Sequence, residues 1–149
     1  MGCANSSAST PIHSTSSPGG KENESKRFIA FLSHDWADDE LGRNNHQRVQ
    51  KIFKALGKRG LSLWFDEVYM KGDIDETMCK GIDESELVCL FITKRYMSKV
   101  TGDNPNDNCK KEFNFAKQKG ADKMTCIVME PQCRDTSKWP GQVQIDVLR

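Results

Sequence analysis

The six cysteines, Cys3, Cys79, Cys89, Cys109, Cys126 and Cys133, include no C-x-x-C pair and no short-spaced ligand cluster. A disulfide framework needs a secreted context and a structural zinc site needs clustered ligands, so neither disulfides nor a metal are expected. Several of these thiols sit inside apolar runs such as Leu87–Ile92, as reduced, buried cysteines of a cytosolic protein do. An excess of one charge is equally absent. Lys plus Arg is 22 against 21 for Asp plus Glu, a net +1, and no basic block interrupts the balance, so nucleic acid is not an expected partner. No apolar run approaches the roughly 20 residues of a membrane span, and no signal-peptide core follows Met1. The phosphate loops G-x-G-x-x-G and G-x-x-x-x-G-K-[ST] do not occur, nor does a G-x-S-x-G nucleophile elbow.

The first 20 residues hold eight Ser/Thr, three Gly and two Pro, with no Asp, Glu, Lys or Arg and one histidine, His13. Such a stretch cannot bury enough apolar area to fold, so residues 1–26 read as a tether and 27–149 as the folded domain. At its head, Gly2 with Ser6 satisfies the myristoylation pattern, and the adjacent Cys3 offers a palmitoylation site. One myristoyl chain holds a membrane only marginally, and the nearby basic residues Lys21, Lys26 and Arg27 are diluted by Glu22 and Glu24. Cys3 would therefore supply the second anchor, placing the protein in the cytoplasm at the inner face of a membrane. The alternative is a chance match in a Ser-rich leader.

In the body, Phe28–Leu32 reads as a buried strand. A helix from Asn44 or Asn45 carries Val49, Ile52, Phe53 and Leu56 on one face and stops at Gly60. Leu61–Phe65 is the second strand, Asp66–Asp73 a loop, and Ile74–Ser85 a helix with Met78, Cys79 and Ile82 inward. Leu87–Thr93 is the most apolar run and the central strand. A loop over Lys94–Asp107 precedes a helix bearing Cys109, Phe113 and Ala116, and Met124–Met129 is a fourth strand. Strands alternating with helices demand parallel pairing through right-handed crossovers, hence an α/β open sheet with helices on both faces. Ligands of such sheets bind beyond the carboxyl ends of the strands, which directs attention to Ser33–Asp39, Asp66–Asp73 and Thr93–Glu112. A receiver domain would want aspartate where Thr93 stands.

Five segments in order, Phe28-Ile-Ala-Phe-Leu-Ser-His34, Gly60-Leu-Ser-Leu-Trp-Phe-Asp66, Lys71-Gly-Asp73, Ile82-Asp-Glu-Ser85 and Asn108-Cys-Lys-Lys-Glu112, resemble the TIR (Toll/interleukin-1 receptor) domain family. The resemblance covers Phe28 to Met129 and implies a flavodoxin-like five-stranded sheet. It also implies homotypic association with other TIR domains, in a homo-oligomer or with an adaptor, through the loop Asp66–Ile74, with Asp66, Glu67, Tyr69, Lys71, Gly72 and Asp73 as its contact residues. That signalling role is the first expectation.

Some members of the family cleave the nicotinamide–ribose bond of NAD+, and by resemblance Glu112 is their catalytic carboxylate, with NAD+ as substrate rather than cofactor. Breaking an N-glycosidic bond passes through an oxocarbenium-like species that a carboxylate stabilises. Catalytic members often carry an aromatic residue where this chain has Asn108, so Trp36 or Tyr69 would have to supply the ring. Ser33, His34, Trp36, Gly72 and Asn108 are the candidate ligand contacts. The plainer readings are a solvated first-turn Glu112 favoured by the helix dipole, an exposed loop His34, a solvated Asp38-Asp39-Glu40 run, a packing Trp64, a capping Ser85 and a positive-φ Gly72. The family usually adds a fifth strand and a final helix. Here Val143–Leu148 could begin either, and a truncated or abbreviated domain is expected.

Overall fold

The computed structural model describes residues 27–148. Gly2 and Cys3, the two expected acylation positions, lie outside them. Apolar runs build four strands: β1 (Phe28–Ser33), β2 (Leu63–Trp64), β3 (Ser85–Ile92) and β4 (Met124–Val128). They pair in parallel in the order β2-β1-β3-β4. Six helices intervene or follow: α1 (Asn45–Gly57), α2 (Asp66–Tyr69), α3 (Ile74–Asp83), α4 (Lys94–Thr101), α5 (Asn108–Lys119) and α6 (Gly141–Val147).

Strand alternation sends side chains to two cores. Phe31, Val88, Leu90 and Ile92 point to the face covered by α3, α4, α5 and α6, where Met78, Tyr96, Phe113 and Val143 are buried. Ala30, Leu32 and Phe91 point to the face covered by α1, against Val49 and Phe65. Helices on both faces of a parallel sheet are the flavodoxin-like architecture anticipated above. Trp64 does pack, stacked on Phe31 with centroids 4.2 Å apart. Ser85 does satisfy backbone, its hydroxyl donating to the Gly81 carbonyl at 2.7 Å.

Four expectations need correction. The segment expected as a loop from Lys94 contains α4, because Thr93 accepts from the Tyr96 N–H and Tyr96, Met97 and Val100 form a buried face. The second strand is only two residues long, and the loop after it winds into the single turn α2. The sheet has four strands rather than five among the described residues; Val143–Leu148 lies in and just after α6. The Asp38-Asp39-Glu40 run is not uniformly solvated, since Asp39 is buried with Arg43 and Arg48 upon it at 2.7 and 3.2 Å.

Strand order runs outward in opposite directions from β1 and β3. Their carboxyl ends, Ser33 and Ile92, therefore flank the topological switch point, where open α/β sheets bind ligands.

Candidate functional site

At that point a cavity of about 480 Å³ opens. His34 and Trp36 come from the loop after β1, Asp66 from the start of α2, Lys99 from α4, and Asp107, Asn108, Cys109 and Glu112 from the start of α5. Asp107 caps α5 by accepting from the Lys110 N–H, which fixes how the helix enters and presents Asn108 and Glu112 to the cavity.

Glu112 is the centre of the arrangement. It is 5 % exposed rather than solvated, so the plainer reading of its place in the helix does not hold. Ser33 Oγ donates to its Oε2 at 2.5 Å. Since the single serine hydrogen is committed there, the Tyr96 hydroxyl, 2.8 Å behind, must donate to Ser33. Burial disfavours the carboxylate and pushes the Glu112 pKa up to about 8, with the serine bond opposing and Asp66 and Asp107 adding to it. The same burial raises the Tyr96 phenol and the Cys109 thiol. A buried acid poised near neutrality beside an open cavity is the environment in which carboxyl groups serve as catalysts.

His34 is 3 % exposed, not the solvated loop histidine expected from its position. Its Nδ1 meets the Leu32 carbonyl at 3.0 Å and its Nε2 meets His46 Nδ1 at 2.7 Å. Burial holds its basicity below the usual imidazole value, against the pull of Asp66. Trp36 stands at the mouth, 53 % exposed, stacked on His46 at 3.9 Å with its indole N–H donating to Asp66 Oδ2. Asp35 turns away from the cavity, its buried carboxylate neutralised by Arg95 at 2.9 Å and Lys99 at 2.6 Å. Lys99 thus brings a partly exposed cation to the cavity wall.

The expected ligand contacts divide. His34, Trp36 and Asn108 line the cavity, and Ser33 stands behind Glu112 as its hydrogen-bond donor. Gly72 does not join them. It lies in a separate depression with Phe28, Trp64 and Tyr69, at φ +77°, the turn geometry expected of it. Tyr69 packs edge-on against Phe28 there, so of the two aromatic candidates only Trp36 reaches Glu112's cavity. In the Asp66–Asp73 segment, Glu67, Lys71, Gly72 and Asp73 are exposed, whereas Asp66 is buried and Tyr69 half-buried.

Sequence reasoning missed Tyr96, Lys99 and His46. The first two lie on α4, whose lysines and arginine masked a one-sided apolar pattern; His46 looked like an ordinary first-turn helix residue. Neither a curated protein nor a solved structure matches the chain significantly. A family model described as TIR domain matches residues 30–148, across every strand, helix and site residue described above except Phe28 and Ile29, and the chain belongs to the TIR domain family.

Proposed function

We propose that this chain is a signal-transduction TIR domain whose cavity hydrolyses the nicotinamide–ribose bond of NAD+, with Glu112 as the catalytic carboxylate. The observation that supports this reading is the buried Glu112 side chain, held by Ser33 beside an open cavity at the switch point of the sheet. Ionised, it would stabilise positive charge developing on the ribose or hold the ribose hydroxyls. Trp36 offers the exposed ring face that Asn108 lacks, and Lys99 the charge complementary to a pyrophosphate. The test is nicotinamide release by full-length protein clustered on vesicles, beside Glu112→Gln. Release that disappears in the variant supports the reading; no release from folded, clustered wild type overturns it.

Association with other TIR domains is the second reading, favoured by Val68 and Ile74, which stand 44 % and 48 % exposed in and beside the Asp66–Asp73 segment. Burial of such side chains on a partner is favourable, and Lys71 and Asp73 beside them supply polar contacts. Val68→Glu should abolish self-association in sedimentation without unfolding the chain; unchanged association sinks this reading. The same proposal places the protein at the inner leaflet through acylated Gly2 and Cys3, which lie outside the described residues. Gly2→Ala should release it from membranes, and unchanged partitioning would remove the anchor.

A further inference from the structure

At the wall of the cavity, which His34 and Asp66 line, three side chains from three elements converge. His34 follows β1, His46 lies in the first turn of α1 and Asp66 opens α2 just beyond β2. One ligand-type atom of each lies within 4.8 Å of the others.

The outward sides of both rings are occupied by acceptors. A carbonyl can only accept, so His34 Nδ1, 3.0 Å from the Leu32 oxygen, carries the hydrogen and leaves a lone pair on Nε2. His46 Nε2 lies 3.4 Å from the Glu67 carboxylate, so its Nδ1 is the nitrogen turned toward His34. The two inward nitrogens are 2.7 Å apart. Without a metal, His46 Nδ1–H donates across this contact to the His34 Nε2 lone pair; a metal ion would displace that one hydrogen and take both nitrogens as ligands. Asp66 Oδ1 adds a negative oxygen 3.9 Å from His34 Nε2. Trp36 donates to the other oxygen of that carboxylate, and its ring stacks over His46, shielding the cluster from water.

We propose that His34 Nε2, His46 Nδ1 and Asp66 Oδ1 form a binding site for a divalent transition-metal ion such as zinc. Two imidazoles and one carboxylate suit zinc and its neighbours, whereas magnesium and calcium prefer all-oxygen sets. Three protein ligands leave a coordination position open. The Leu32 carbonyl and Glu67 carboxylate are the outer acceptors that orient metal-ligating histidines and fix their tautomers. Zinc–nitrogen distances of about 2.0–2.1 Å require the imidazoles to part slightly and Asp66 to close in, both side-chain adjustments. The proposal is independent of NAD+ hydrolysis, and its test reads metal binding alone.

The experiment titrates chelator-stripped, full-length protein with cobalt(II), followed by displacement with zinc. One equivalent of cobalt should give the intense visible bands of a low-coordinate ion without a thiolate charge-transfer band, and zinc should remove them. Affinity should fall at least about tenfold in His46→Ala, and by roughly 10–100-fold in Glu67→Gln, which alters only an outer partner. Zinc should raise the thermal midpoint of wild type and not that of His46→Ala. His46 is only part-buried; should its variant fail to fold, the exposed Glu67→Gln and its affinity loss carry the test. No cobalt spectrum, a thiolate band, or binding unchanged in these variants overturns the site. So does an NMR signature of a proton shared by the two rings that metal does not displace.

Discussion

Ser33 and Glu112, 79 residues apart in sequence, share a hydrogen bond of 2.5 Å that joins the end of the inner strand β1 to the first turns of α5. Behind it Tyr96 donates to Ser33, so one directed chain from α4 through β1 ends on the Glu112 carboxylate. The chain favours the ionised form while burial opposes it, and burial prevails.

That balance has a consequence for stability. Below the ordinary glutamate value of 4.5 both folded and unfolded states hold the proton; between there and about 8 only the folded state keeps it. Folding then binds more protons than unfolding, so Glu112's contribution is full below about pH 4.5 and declines as pH rises to about 8. At about 1.4 kcal/mol per unit, the decline is a few kcal/mol. His34, held below the usual imidazole value, acts oppositely, its contribution growing as pH rises toward 6.5 and staying constant above it. Glu112→Gln separates the two. Urea unfolding of both proteins should show the variant gaining stability relative to wild type between about pH 5 and pH 9; parallel curves would refute the buried acid.

The sheet was legible because its strands are apolar runs and α1 has a clean one-sided face: Val49, Ile52, Phe53 and Leu56 are local patterns. The site was legible only by address. Cys109-Lys-Lys-Glu112 reads as a charged helix start, and nothing local says that its last residue is buried. That depends on α5 packing against the end of β1, a contact between distant segments. Asp39 looked solvated for the same reason, its partner Arg48 lying nine residues on and a turn into α1. His34 and His46 meet only because the intervening loop folds back, pinned by the Asn45 side chain donating to the Asp35 carbonyl at 2.8 Å.

If Glu112 acts as a carboxylate, NAD+ hydrolysis should rise with pH through about 8 and level above it. Ser33→Ala removes the donor that favours the charge. A hydrogen bond to a charged group contributes about 1.5–3 kcal/mol, so near neutral pH the rate should fall about tenfold or more. The loss should shrink at high pH, where the carboxyl ionises even without the serine. A uniform loss at every pH would make Ser33 a packing residue instead.

Two glycines inside helices should respond oppositely to alanine. At Gly81 in α3 a Cβ would come within 2.5 Å of Trp64 Nε1, so Gly81→Ala should push the indole off its stack on Phe31. Overpacking of that kind costs about 1–3 kcal/mol, more than the gain in helix propensity. Gly57, at the end of α1, has open space around it, and Gly57→Ala should leave stability equal or raise it by up to about 1 kcal/mol. Thermal melts of the pair decide this; a neutral Gly81→Ala would mean the Trp64 ring has room to move.

Asp39 ties the first loop to the far edge of the sheet. Its Oδ1 accepts from the Leu41 and Arg43 N–H groups, and its Oδ2 receives both Arg43 and Arg48. Each arginine then reaches the Met129 carbonyl at 3.1 Å, just beyond β4. Burial alone would raise the Asp39 pKa, but the Arg43 guanidinium and the loop amides outweigh it and hold the carboxyl below the usual range. A depressed carboxyl contributes stability above the unfolded value of 3.8 and loses it as pH falls through the folded one, so the tie should fail only in acid. Asp39→Ala removes the oxygens while leaving two guanidinium groups and two amides short of an acceptor, a loss of about 1–3 kcal/mol. Hydrogen exchange should locate that loss: amides of the 38–44 loop and of β4 should open faster, while those of α3 should not change. Faster exchange spread evenly over the chain would mean that Asp39 supports the whole fold rather than this link.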